Sequence, residues 1–75
     1  MERQLEEFLE MVAGILEVPS VTADTDFRAG PVWDSLTGYA LIVAIDQKYA
    51  RRLSADALKA MKTVGELARF AGVAT

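Results

Sequence analysis

Three serines, a few lysines and a set of carboxylates are the side chains here that could take part in chemistry, because the 75 residues include no histidine and no cysteine. A Ser-His-Asp or Cys-His nucleophile is thereby excluded; a lysine or a carboxylate would have to act as base, and no motif pairs a lysine with a serine. The usual zinc, iron and copper ligand sets go with them. Asp24 and Asp26 open like a calcium loop, but such a loop needs an oxygen ligand two residues on and then a glycine, where Arg28 and Ala29 stand. These aspartates read instead as loop residues bonded to backbone amides. Paired carboxylates for glycoside chemistry would need a substrate cleft, for which so small a chain has little room. The chain reads as something acted upon.

The serines differ in setting. Ser20 follows Pro19 in a loop, and Ser54 stands where an ordinary helix N-cap belongs. Ser35 lies in "VWDSLTGYALIVAIDQKY", a short polar stretch set against a nearly unbroken apolar run. Asp34 can take the cap, which puts Ser35 in the first turn with its hydroxyl outward. The amides of Leu36 and Thr37 are then expected to be free, and with the helix dipole they suit an anion such as a phosphate on Ser35.

These residues need helices to hold them. Leu5, Phe8, Leu9, Val12, Ile15 and Leu16 recur at three and four, which predicts an amphipathic helix over residues 1–17, closed by Val18-Pro19. Glu2, Glu6 and Glu7 suit its positive end. Residues 19–33 have no helical period and read as a long structured loop, which at this length needs pinning; Val21, Phe27 and Val32 are the expected pins. The second helix runs from Asp34 or Ser35 to about Tyr49. Its apolar residues cover more than one stripe, so it is expected to be the central, most enclosed helix, with Gly38 as its anomaly. Ser54 caps a short third helix with Leu58 and Met61 inward. Thr63 and Glu66 form a capping box for a last helix carrying Val64, Leu67, Ala68 and Phe70, ended by Gly72. The expected fold is all-α, a four-helix bundle of three longer helices and one short third, in a single domain spanning residues 1–75.

Composition sets the outer bounds. A 52% hydrophobic fraction is too high for a disordered chain, and without cysteine no disulfide reinforces so small a core, so stability must come from helix packing. A net charge of −3 disfavours nucleic acid, whose phosphates demand surplus Lys and Arg. The one basic cluster, Lys48, Arg51 and Arg52, reads as a solvated helix end or, alternatively, a partner contact. The longest apolar run, residues 39–45, is far short of the roughly 18 residues of a membrane span. The acidic start lacks the apolar core of a secretory signal. A cytoplasmic monomer is expected.

Asp34-Ser35-Leu36 at the head of the second of four helices, after a long loop, resembles the phosphopantetheine attachment site of the acyl carrier proteins. Length, acidity, the long first loop and the "TVGELARFAG" stretch of residues 63–72 resemble that family too, so the likeness spans nearly the whole chain. The resemblance implies that Ser35 is esterified to 4′-phosphopantetheine by a phosphopantetheinyl transferase with coenzyme A as donor. The arm's thiol would carry an acyl thioester between loading, condensing and transferase enzymes of a fatty acid, lipid or secondary metabolite pathway, and the chain itself would catalyse nothing. An aminoacyl or peptidyl carrier fits the same motif, and an unmodified adaptor for a partner helix fits the same fold.

The residues implied for partner recognition are Trp33, Asp34, Leu36, Ala40 and Asp46. Leu36 would offer enzymes an apolar contact or pack on the first loop; Trp33 would fold onto the bundle or stand exposed beside the arm. Family members typically carry acidic residues where Thr37 and Ala40 stand, a departure that implies a different set of partner enzymes. Trp33 is a second departure, since small or polar residues usually precede the aspartate.

Overall fold

The computed structural model describes residues 2–73. Four helices follow one another: α1 (Glu2–Leu16), α2 (Ser35–Tyr49), α3 (Ala55–Ala60) and α4 (Val64–Phe70). No strand occurs among the described residues. The expected first helical residue, Met1, lies outside them, as do Ala74 and Thr75. α1 stops before the proline is reached. Glu17 turns left-handed at φ 57°, and the Val18 amide returns to the Ala13 carbonyl at 3.0 Å, a Schellman closure built on a glutamate rather than a glycine. α4 ends the same way on Gly72 at φ 83°, with Val73 N–H on the Ala68 carbonyl at 2.9 Å.

The core draws on every helix and on the first loop. Phe8, Val12 and Leu16 from α1, Leu41 and Ile45 from α2, Leu58 from α3, and Val64, Leu67 and Ala68 from α4 are buried together, with Val21 and Phe27 added by the loop. Val21 and Phe27 are therefore pins, as expected; Val32 is half-buried and contributes through its carbonyl, described below. The stronger tether is backbone. The Phe27 amide donates to the Lys62 carbonyl (3.2 Å), Val64 N–H to Thr25 (2.9 Å) and Gly65 N–H to Ala23 (2.8 Å), so the loop runs beside the start of α4 as an isolated antiparallel bridge. Such pairing satisfies amide groups on both segments that burial would otherwise leave without partners. Between the pins, Asp26 caps a single 3-10 turn, Phe27–Ala29, by accepting from the Arg28 amide at 2.9 Å.

One expectation fails. α2 is not the most enclosed helix: only Gly38, Leu41 and Ile45 are buried on it, whereas Leu36 is 77% exposed and Tyr39 65%. α1 packs on one side of α2 while α4 packs on α1, and the six-residue α3 is too short to cover the rest of α2. A chain of this size runs out of surface to wrap an all-round apolar helix, and its leftover apolar side chains face water.

Candidate functional site

Ser35 is the first residue of α2, and its side chain is exposed. Asp34 before it is extended (φ −157°, ψ −174°), the conformation that lets an N-cap side chain reach forward, and its Oδ1 accepts from the Thr37 amide at 2.9 Å. The Thr37 hydroxyl donates back to the Val32 carbonyl at 2.9 Å and lies 3.0 Å from Asp34 Oδ1. Thr37 is thus a fastener between helix and loop. Its amide, then its hydroxyl, and to a smaller degree the Leu36 amide, hold the Asp34 carboxyl below the usual carboxylate range against a small opposing effect of desolvation. This corrects the expectation of two free amides, since Asp34 already occupies that of Thr37. An anion joined to Ser35 shares the helix end with a carboxylate rather than having it to itself.

The other serines are placed differently. Ser54 Oγ accepts from the Ala57 amide at 3.0 Å and so serves as the cap of α3, while Ser20 is exposed in the loop after α1, remote in sequence from any helix start. Ser35 alone combines an uncommitted position in the first turn with a cavity at its side. That cavity, about 500 Å³ in volume, is an open groove between α2 and α3 whose walls include Ser35, Trp33, Gly38, Tyr39, Ile42 and Leu58. Its volume lies within the range of roughly 300–1,000 Å³ usual for small-molecule sites.

Trp33 folds onto the bundle and also lines the groove, so both sequence alternatives describe it in part. Its ring packs against Phe27, with centroids 5.5 Å apart and planes at 58°. On its other edge lies Gly38: a Cβ built there would meet Trp33 Cη2 and Cζ2, and Leu58 Cδ2, each at 3.4 Å. The glycine that looked anomalous in a helix leaves the indole and Leu58 close access to the backbone of α2. Arg28 also borders the groove. Its guanidinium donates to the carbonyls of Lys59 (Nη1, 3.1 Å) and Met61 (Nη2) and sits 5.4 Å from the centre of the Phe27 ring, which fastens the end of α3 to the loop.

Of the residues singled out for recognition, Trp33, Asp34 and Ser35 meet at the groove, while Leu36 and Ala40 lie exposed one turn apart on α2 outside it. Asp46 is exposed three turns along from Ser35, about 16 Å by helical rise, and takes no part in the groove. Sequence reasoning missed Arg28, Tyr39, Ile42 and Leu58 as groove residues. Ile42 and Tyr39 could have been found, since they fall at i+7 and i+4 from Ser35 and so share its face; Arg28 and Leu58 come from elsewhere in the chain and carry no local signal.

Comparison with known families matches residues 6–71 to the family described as "phosphopantetheine attachment site". Neither the curated proteins nor the solved structures contain a significant match to the chain.

Proposed function

The chain belongs to the phosphopantetheine-attachment-site family of carrier proteins, and we propose that Ser35 is the residue that bears its prosthetic group. Members of the family are non-catalytic carriers that hold 4′-phosphopantetheine covalently, are modified by phosphopantetheinyl transferases and serve enzymes of a pathway. The residues present fit that group: an exposed hydroxyl in the first turn of α2, with an apolar groove beside it, suits a phosphodiester outside and a flexible arm alongside. When bound, the group supplies a thiol at the end of a long arm, on which an acyl cargo is held as a thioester. What this chain supplies is position. Asp34 makes a poor base for the Ser35 proton, since its hydrogen bonds favour the ionised form and lower its proton affinity, and no histidine is available. The base that takes the proton during attachment then belongs to the transferase.

The observation that carries the assignment is the contrast among the three serines, of which Ser35 alone joins an exposed first-turn position to a groove. Intact mass after incubation with a phosphopantetheinyl transferase and coenzyme A tests it. Wild type should gain one phosphopantetheine and Ser35→Ala none; modification that persists in the variant, or maps to Ser20 or Ser54, overturns the assignment. A wild-type chain that gains no mass would speak for the adaptor reading instead.

The reading takes residues 1–75 as one cytoplasmic, monomeric carrier domain, and places it in a specialised pathway rather than in general fatty acid synthesis. Support for the second point comes from charge. Asp46 and Lys48 are the only charged residues of α2, and its first turn has no acidic residue, so the helix beside Ser35 offers little field to steer a basic enzyme surface. Exposed Leu36 and Ala40 favour apolar contact there. Fatty acid synthase enzymes should therefore process the loaded protein slowly, and Ala40→Glu should raise kcat/KM with them, most at low ionic strength. Ala40 is the clean position for this change, because Thr37 fastens the loop and a carboxylate there would face Asp34. Equal rates for the unaltered protein and a standard acyl carrier would end the inference of specialisation.

A further inference from the structure

The groove beside Ser35 has two aromatic walls of different kinds. Trp33 is half-buried and fixed, held between Phe27 and the bare backbone at Gly38, with Leu58 alongside. Tyr39 is 65% exposed on the same groove, one turn beyond Ser35, and none of the aromatic or hydrogen-bond contacts described for the core engages it. An exposed large aromatic beside a fixed one, over an apolar floor that includes Ile42, is a surface suited to a flat ring, because ring faces and edges pack at defined offsets that a flexible chain cannot match. Resting on the assignment of Ser35, we propose that Trp33 and Tyr39 are specificity-determining residues, which make the groove a resting place for a ring-bearing acyl cargo in preference to a straight chain of equal carbon number.

The occupant follows from tethering. Ser35 is itself part of the groove wall, so whatever is joined to its oxygen through a flexible arm is held at an effective concentration on the order of 1 mM. A groove with an intrinsic Kd near that value, far too weak to capture a free ligand in a cell, is about half occupied by a tethered one. The open side matters as well. Leu58, a core residue of α3, closes one part of the groove wall, and Arg28 fixes the end of α3 by its bonds to the carbonyls of Lys59 and Met61. Open to solvent, it gives a flat group the Trp33 and Tyr39 rings to lie against.

Trp33 is the sole tryptophan, so its emission reports the groove directly. The transferase, given benzoyl-coenzyme A or heptanoyl-coenzyme A, loads arms that end in seven carbons either as a ring or as a chain, and intact mass verifies each product. Benzoyl loading should lower the acrylamide quenching constant of Trp33 by up to about twofold relative to the arm without cargo, the ceiling set by half occupancy, and heptanoyl loading should lower it clearly less. Tyr39→Ser removes an exposed side chain outside the core and should erase the difference between the two cargoes while both still load. Mass-verified benzoyl protein that quenches like the unloaded arm, or equal protection by both cargoes, would overturn the proposal while leaving Ser35 as the attachment residue. Absence of any mass gain would remove that assignment and this proposal together, so the two failures are told apart by the same sample.

Discussion

Two helix starts in this protein use the same device for opposite ends. At α4, Thr63 Oγ1 accepts from the Glu66 amide at 3.3 Å, and Glu66 Oε1 accepts in return from the amides of Thr63 (2.9 Å) and Lys62 (2.8 Å). Thr25 and Ala23 of the loop then take the Val64 and Gly65 amides. Both of those residues are buried. At α2, Asp34 takes the Thr37 amide and the Thr37 hydroxyl reaches the Val32 carbonyl, yet Ser35 and Leu36 remain exposed, and no second segment pairs with them among the described bonds. The first start is saturated by its own chain and buried. The second is capped just enough to form, and its outer face is left for other molecules. A capping motif by itself therefore says nothing about role; whether a neighbouring segment closes over it does.

Removing the pin that holds the loop against α4 has the largest expected effect on either helix start. Phe27 is fully buried and supports Trp33 and Arg28, so Phe27→Ala should cost about 3–5 kcal/mol, a large part of a small domain's stability. Urea unfolding measures it, and Ser35→Ala in the same assay should stay within about 0.5 kcal/mol of wild type. A Phe27→Ala midpoint close to wild type would mean that backbone pairing alone keeps the loop in place.

Next come the two buried glycines, one at each helix start. A Cβ on Gly65 would stand 2.9 Å from the Ala23 carbonyl oxygen, a backbone atom that cannot move without disturbing the bridge, so Gly65→Ala should destabilise by roughly 1–3 kcal/mol. At Gly38 the nearest neighbours are side-chain carbons at 3.4 Å, an ordinary contact, and alanine is the better helix former by up to about 1 kcal/mol. Gly38→Ala should therefore leave thermal stability unchanged or raise it. Opposite signs sharpen the contrast between a closed start and an open one; equal losses would show that the indole at Gly38 is as tightly confined as the loop at Gly65.

The smallest effects are those of the caps. Thr63→Ala should cost about 1 kcal/mol, and Asp34→Ala should act in the same direction but less, since its surroundings are open to water. Acid acts on both ends. Backbone bonds from Thr63 and Lys62 hold the Glu66 carboxyl low, chiefly against desolvation, and bonds from Thr37 do the same for Asp34. A carboxyl depressed in the folded state stabilises the fold above its unfolded pKa, near 4, and that contribution is lost as pH falls through the folded value. Stability should thus decline below about pH 4, and Glu66→Gln and Asp34→Asn together should flatten the decline in urea titrations across that range. An unchanged acid slope in the double variant would assign acid sensitivity to other carboxylates.

Much of this molecule was written locally. The 3.6-residue spacing of Leu5, Phe8, Val12 and Leu16 sets α1 because those residues share one face of a helix whatever else the chain does. Thr63 and Glu66, Ser54, Asp34 and Gly72 mark helix ends by bonds that span at most a few residues. Ser35 could be singled out for the same reason, as a first-turn residue whose cap was already supplied by its neighbour. None of this requires knowing where another segment lies.

What the tertiary structure decided is everything that depends on which segments meet. The number and spacing of apolar residues in α2 indicated burial on several sides, but burial is a property of what remains to cover a helix, and α3 is too short to do it. The bridge of the loop to α4, the seat of Arg28 on the carbonyls of Lys59 and Met61, and the fit of Trp33 over Gly38 with Leu58 join residues that sequence keeps 5 to 42 positions apart. Such contacts are fixed only when the whole core closes, because their energy comes from packing and shared hydrogen bonds rather than from any local preference of the residues that make them. The serine was legible in the chain, and the groove beside it existed only once the fold had brought its walls together.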